Sequence, residues 1–410
     1  MKQLLLLSYF FPPHGGGGVF RPVETIRLLA GHGWQTTVIA GPESGWWVTD
    51  FSLFDRLPAS VRIVRPAAWS PQKLFGRKGR SEAAVRSGKK ITDWLPVPDV
   101  YLFWAAAAAR ATAQYLDGSA WVMSTSPPES AHLAAWWAVR NKPVKWVADF
   151  RDPWINGIYR RYPTVIHRDL QEMLESRVVE RANLVLATSP AAVDDFQVRY
   201  PGQPANKFQF LPNGFDPEEF AGLARPEPRP PLRLVHTGNL TRSRSLTPVL
   251  EAVARLGAGR CRLELAGQVP DGIEREAARM GIADALSLRG YLPRTEMLKR
   301  LAASHVGLVL EAFLPGAELV LQGKIFDYLG AGLPVLALVP EGAASGLVTS
   351  TGAGLAVTSP RPDLILPVLE RFVSRLESGL LPFDFPPPSA LADYERPAVI
   401  TRLAGLLESL

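Results

Sequence analysis

Four segments carry charged or glycine-rich residues directly after an apolar run or inside a helix that precedes one, the places where an α/β chain does chemistry. The first is Phe11-Pro12-Pro13-His14-Gly15-Gly16-Gly17-Gly18-Val19, between the run Leu4 to Tyr9 and a helical pattern beginning near Phe20. Glycines there let backbone N–H groups, such as those of Gly17 and Gly18, approach an anion and feed it to the positive end of a helix. A plain flexible turn is the competing reading, since the spacing is not the Gly-x-Gly-x-x-Gly of a dinucleotide fold. Arg21, just beyond, is either a phosphate ligand or a surface cation.

The second is Ala148-Asp149-Phe150-Arg151-Asp152-Pro153-Trp154, at the carboxyl end of an apolar run. Three charges directly after a buried strand are destabilising if unpaired, and Pro153 stops the strand there. They form either an Asp–Arg pair that fixes the loop or a substrate-facing group in which Asp152 or Asp149 accepts a hydroxyl proton. The third, Val235-His236-Thr237-Gly238-Asn239-Leu240-Thr241-Arg242-Ser243-Arg244, is a strand, a glycine turn and a helix start with two arginines. It suits a diphosphate guest, or is a helix cap with solvated arginines. In the fourth, Gly323 to Val335, Lys324 and Asp327 share one face of a helix. They are a surface ion pair, or the carboxylate holds a ribose diol while the ammonium faces phosphate.

The elements that position these segments follow from the rhythm of the apolar runs. Runs at Leu4 to Tyr9, Thr36 to Ala40, Ala120 to Ser124, Val144 to Asp149 and Leu184 to Thr188 alternate with longer helical patterns such as Pro22 to His32. The runs lack polar alternation, as expected of a parallel sheet covered by helices on both faces. The rhythm restarts at Leu232 to His236 and continues through Arg262 to Leu265, Leu286 to Leu288, Val306 to Leu310, Pro334 to Leu338 and Leu355 to Val357. At 410 residues the chain exceeds one ordinary core. We therefore expect an N-terminal Rossmann-like domain over 1–215, a linker at 216–231 too rich in Pro and charge for a regular element, a second Rossmann-like domain over 232–389, and a C-terminal helix over 390–410 packing back toward the first domain.

Composition narrows the class. With 47% hydrophobic and 20% charged residues the chain buries enough apolar surface to fold throughout. The lone cysteine, Cys261, and the lack of clustered Cys and His imply a reducing compartment, read as cytoplasmic, and no metal site. Pro12-Pro13-His14 stands where a signal peptide needs a small-residue cleavage site, and no window holds the ~18 apolar residues of a membrane span. The net charge of +6 is compatible with anionic lipid or phosphorylated substrates. A nucleic-acid role is not expected, because the positive charge is concentrated in one loop without a recognisable binding module. The basic segment Lys73, Arg77, Lys78, Arg80, Arg86, Lys89 and Lys90, with Leu74, Phe75 and Trp94 among it, is either a solvated loop or a contact to an anionic membrane surface. Trp46-Trp47 could stack on sugars or lipids, and Trp136-Trp137 reads as core.

Taken in order, SYFFPPHGGGG, DFRDPW, LPNGFD, HTGN and GKIFDYLGAGLPV resemble family 4 of the retaining glycosyltransferases, over nearly the whole chain. The resemblance implies the GT-B architecture: two facing Rossmann-like, doubly wound parallel-sheet domains with a cleft between them. It implies transfer of a sugar from a nucleotide diphosphate sugar to a sugar or lipid-linked acceptor with retention, in cell-envelope or exported polysaccharide or glycolipid synthesis. The protein would be cytoplasmic, or peripheral on the inner face of the membrane, and would need no cofactor and no metal, Lys and Arg taking the cation's part. On the donor side it offers Gly17, Gly18, Gly238, Asn239, Arg244, Lys324 and Asp327, the last gripping the ribose. On the acceptor side it offers His14, Arg21, Arg151 and Trp154. Asp149, Asp152, Lys324 and Arg244 are the catalytic candidates. The chain departs from the family's pair of glutamates separated by seven residues, since Asp327 takes the second place and Leu319, beside Glu318, the first. A GT-B sugar-nucleotide epimerase and a non-catalytic two-domain binding protein are the rival readings.

Overall fold

The structure is a computed structural model, and it describes residues 2–43, 48–68, 96–116, 120–158, 160, 162–223, 225–257 and 259–410. The basic segment at 73–90, Trp94 and the Trp46-Trp47 pair lie outside the described residues. The chain divides into two compact units, Met1–Pro212 together with Pro397–Leu410, and Asn213–Arg396.

The first unit is built on a seven-stranded sheet in the order β3-β2-β1-β4-β5-β6-β7, every pairing parallel. Its strands are β1 Lys2–Ser8, β2 Trp34–Ala40, β3 Arg62–Val64, β4 Trp121–Ser126, β5 Trp146–Phe150, β6 Leu184–Ala187 and β7 Phe208–Phe210. The apolar runs became the buried strands; β3 and β7 are three residues each, too short for periodicity to mark. Chain order reverses between β1 and β4, the switch point at which open α/β sheets leave a crevice at the strands' carboxyl ends. The helix Arg396–Ser409 buries Val399, Ile400, Leu403 and Leu407 in this unit's core, and the Trp121 indole donates to the Leu407 carbonyl at 3.1 Å. Apolar residues three and four apart make that face.

The second unit repeats the plan with six parallel strands in the order β10-β9-β8-β11-β12-β13. They are β8 Leu232–Thr237, β9 Cys261–Ala266, β10 Leu286–Gly290, β11 Val306–Leu310, β12 Val335–Leu338 and β13 Gly354–Val357. Its switch point lies between β8 and β11. The stretch 216–231, expected to lack a regular element, belongs to this unit and holds the one-turn helix Pro217–Phe220. Asp216 caps that turn by accepting from Glu218 N at 3.1 Å, and Pro217 is pre-set for a first helical position. Phe220 is buried against Gly330, where an added Cβ would stand 2.5 Å from its ring. Among the described residues no helix is long and apolar enough to cross a membrane.

Candidate functional site

In the second unit the polar residues converge on the carboxyl ends of β8 and β11. Strand β8 ends in His236 and Thr237, and the chain turns at Gly238 with φ +91°, a backbone that favours glycine. The turn is braced from the neighbouring strand end: Gly238 N donates to Ala266 O at 2.7 Å, and Gln268 N to the Asn239 side-chain oxygen at 2.9 Å. Asn239, expected to face a donor, thus uses its Oδ1 to hold two loops together. Gly267 completes the fit, since a Cβ there would fall 2.3 Å from the Gly238 carbonyl oxygen.

The helix Gly323–Gly330 brings Lys324 and Asp327 to this edge. Tyr328 locks it in place: its hydroxyl receives Thr237 N at 3.0 Å, and its ring occupies the space left by Gly307, where a Cβ would stand 2.4 Å away. Lys324 and Asp327 do not pair with each other. Lys324 Nζ lies 3.0 Å from His236 Nε2, while Asp327 accepts from Arg294 Nη1 at 2.7 Å, with Glu219 on Nη2 at 2.6 Å. Burial first, then the neighbouring Arg244 guanidinium, hold the Lys324 ammonium well below the usual lysine range.

Arg244 is not a solvated cap residue. Its Nε and Nη2 each lie 2.7 Å from a Glu311 oxygen, a bidentate pair that spans the β8–β11 switch point. Gln322 Nε2 adds a third donor to that carboxylate at 2.6 Å. Burial works to raise the Glu311 carboxyl, but Arg244 and the hydrogen bonds outweigh it and leave it below the usual carboxylate range. Glu311 is the residue the sequence reading missed here. It stands directly after an apolar run, the same sequence signal that singled out the Asp149 segment. Glu318 is exposed and accepts from Gly316 N at 2.9 Å, whereas Leu319 is buried.

In the first unit the same edge is knit by charges that close on one another. Arg21 lies bidentate on Asp149, at 3.0 and 2.7 Å, and also donates to the carbonyls of Leu211 and Pro212 at 3.1 and 2.9 Å. Thr125 donates to the same carboxylate at 2.9 Å. Arg21 is therefore neither a surface cation nor open to a ligand, and Asp149, 1% exposed, is a clamp rather than a proton acceptor. Burial opposes its ionisation, but Arg21 and the hydrogen bonds overcome it and hold the carboxyl below its ordinary range. Arg151 donates to the carbonyls of Ser126 and Pro127 at 2.7 and 2.6 Å and to that of Gly18, so it ties the glycine loop to the end of β4. Asp152 is exposed and makes no ion pair among the described residues.

Two acceptor-side candidates are corrected by burial. Trp154 is fully enclosed, its indole donating to Gln171 Oε1 at 2.6 Å and its ring lying against Phe150 and His132, because the chain after Pro153 dives back into the core. His14 is 2% exposed, and burial with the nearby Arg65 charge lowers it to about 4. Gly17 opens the helix Gly17–Gly31 with nothing within 4 Å of an added Cβ. Trp136 and Trp137 are half-buried against this unit's core. This unit also holds a buried set the sequence did not reveal. Asp99 accepts from Ser130 N at 2.9 Å, and Glu129 pairs with Arg160.

Two doubly wound parallel-sheet domains, each with a polar crevice edge at its switch point, are the arrangement of GT-B glycosyltransferases, and solved structures bear out that fold class. The chain is similar to a sucrose-phosphate synthase from Thermosynechococcus elongatus at 14% identity and TM-score 0.71, covering 100% of this chain and 99% of that one. It is similar to HepE of Anabaena, solved in complex with UDP, at 15% identity and TM-score 0.67, covering all of both chains. It is also similar to a glycosyltransferase from Rickettsia africae at 14% identity and TM-score 0.64, over 100% of this chain and 98% of that one. No family model and no curated protein sequence matches the chain.

Proposed function

We propose that the protein is a glycosyltransferase that moves a sugar from a nucleoside diphosphate to an acceptor, with the second unit holding the donor. The observation that carries this is the seating of Lys324 Nζ against the Gly238 turn, 3.3 Å from where a Cβ would stand, at the switch point of a doubly wound sheet. The UDP-bound state of the similar HepE structure supports the same kind of ligand here.

Breaking the bond to a nucleoside diphosphate puts negative charge on phosphate oxygens as the sugar ring becomes positive. Fixed donors aimed at those oxygens lower the barrier, and the Lys324 amine, seated at the Gly238 turn, is such a donor. Arg244 reaches the same edge on its Glu311 mount. Asp327, with its carboxylate steadied by Arg294, is the ribose acceptor in this reading. The transfer proceeds with retention, without a metal, the leaving phosphate taking the acceptor proton; Asp152 is the exposed carboxylate on the other unit's edge. The acceptor is a sugar or lipid-linked sugar of envelope or exported glycan synthesis, met in the cytoplasm or at the inner membrane face.

A thermal-shift screen of the protein against UDP, GDP, ADP, TDP and CMP with their sugars tests this reading. A ligand at 100 times its dissociation constant adds about 2.7 kcal/mol to the folded state. We expect one nucleotide family to raise the midpoint, and Lys324→Met and Asp327→Ala to lose that rise. No shift with any nucleotide would return the protein to the binding-protein reading.

A further inference from the structure

We propose that His236 is a positioning residue for the diphosphate subsite: its imidazole fixes the Lys324 amine against the Gly238 turn as an uncharged acceptor, so that the amine is aimed with no counter-charge beside it. The proposal rests on the reading of Lys324 as a diphosphate ligand.

The hydrogen-bond pattern assigns the roles. His236 is wholly buried, and its Nδ1 lies 2.8 Å from the Leu308 carbonyl on β11, across the switch point. A carbonyl oxygen can only accept, so Nδ1 carries the proton. The uncharged ring then presents a lone pair at Nε2, and Lys324 Nζ, 3.0 Å away, donates to it. Burial first, with the neighbouring Lys324 working the same way, keeps the imidazole well below its ordinary range, so the ring stays neutral beside the amine.

Two arginines near this edge are mounted differently. Arg244 sits on Glu311, and Arg294 on Asp327 and Glu219. A carboxylate positions a cation and cancels most of its charge; an imidazole lone pair positions the amine and brings no negative charge to compete with an incoming anion. Among the described residues no carboxylate lies within ion-pair distance of Lys324 Nζ. Its direction is fixed as well. The exposed Gly238 turn is the surface next to the amine, and Tyr328 prevents the helix that carries Lys324 from shifting.

The test uses calorimetric titration of the full chain with UDP, GDP and ADP, and ligand-observed NMR with the nucleoside of whichever binds. The variants are His236→Leu, His236→Gln, Lys324→Met and the His236→Leu/Lys324→Met double variant. A hydrogen bond to a charged group is at stake, so His236→Leu should weaken the diphosphate roughly tenfold or more. Its nucleoside binding should stay at the wild-type level. His236→Gln, which can place an amide oxygen near the position of Nε2, should restore most of the loss. The double variant should bind no more weakly than Lys324→Met alone.

Diphosphate affinity unchanged in His236→Leu, equal loss of diphosphate and nucleoside, or Gln no better than Leu would each overturn the positioning role while leaving the Lys324 subsite standing. Wild-type affinity in Lys324→Met, or no nucleotide bound by the wild type, would overturn the subsite itself and this proposal with it.

Discussion

Arg244 and Glu311 face each other across the switch point of the second sheet, joined by two contacts of 2.7 Å that leave the carboxylate 1% exposed and the guanidinium 15% exposed. The pair fixes where an arginine reaches the crevice edge and makes that edge sensitive to acid. Because Glu311 titrates below its unfolded value of 4.5, its contribution to stability is complete above that pH and is lost as pH falls through the folded value. Glu311→Gln should therefore lower the urea midpoint at pH 7 and flatten the fall in stability below about pH 4.5. An unchanged acid limb in the variant would show that the pair contributes nothing.

Asp149 offers the matching case in the first unit, where Arg21 is enclosed with it. Removing one member of a buried pair strands the other charge, so Asp149→Ala should destabilise the protein by roughly 3–5 kcal/mol. Asp149→Asn, which keeps the shape and one acceptor oxygen, should lose less. Equilibrium denaturation ranks the two. If instead both variants fold as stably as the wild type and fail only in turnover at neutral pH, the clamp reading is wrong.

Lys324 sits where burial works against its charge. Its folded-state value is depressed from 10.5, so between the two values the unfolded chain binds more protons and stability rises with pH. Lys324→Met should thus raise the ligand-free melting temperature at pH 7 and remove the rise in stability toward pH 10.5, while abolishing nucleotide-induced stabilisation. Melting curves from pH 7 to 10.5 with and without nucleotide report both effects.

His132 makes a second pH window. It is fully buried, hydrogen-bonded through Nδ1 to Ser124 Oγ at 2.7 Å, and burial lowers it from 6.5 to about 4. Between those values the unfolded state binds the extra proton, so stability is full above pH 6.5 and declines as pH falls toward 4. Ser124 also receives the Trp146 indole N–H at 2.9 Å, so Ser124→Ala orphans two buried groups. It should cost about 1–3 kcal/mol for each. Chemical denaturation at pH 7 and pH 5 tests both statements.

Gly267 tests how tightly the Gly238 turn is held. An alanine there would need a strained φ of +144° and would push on the Gly238 carbonyl. We expect Gly267→Ala to destabilise the protein by about 1–3 kcal/mol and to weaken nucleotide binding together with it. Unaltered nucleotide affinity in a folded variant would show that the turn tolerates displacement.

The sequence by itself determined the local elements and their class. Unbroken apolar runs such as Leu4 to Leu7 and Val306 to Leu310 can be satisfied only by burial on both faces, which makes a parallel sheet covered by helices. Charges directly after such runs, at Asp149 and Arg151, marked the carboxyl end of the strand, where Asp149 is the fourth of the five residues of β5 and Arg151 follows it. Only the tertiary structure decided which of those charges are available to a ligand, since that depends on partners distant in the chain. Arg21 meets Asp149 across 128 positions, Arg244 meets Glu311 across 67, and Lys324 meets His236 across 88. Two carboxylates in the same motif, Asp149 and Asp152, read alike in one dimension. The fold gave one of them an arginine and left the other at the surface. Trp154 shows the same division, because an indole beyond Pro153 can line a crevice or fill a core, and chain direction after the strand settles which. Burial and charge pairing are properties of neighbours in space, and periodicity along the chain records only which face of its own element a residue occupies.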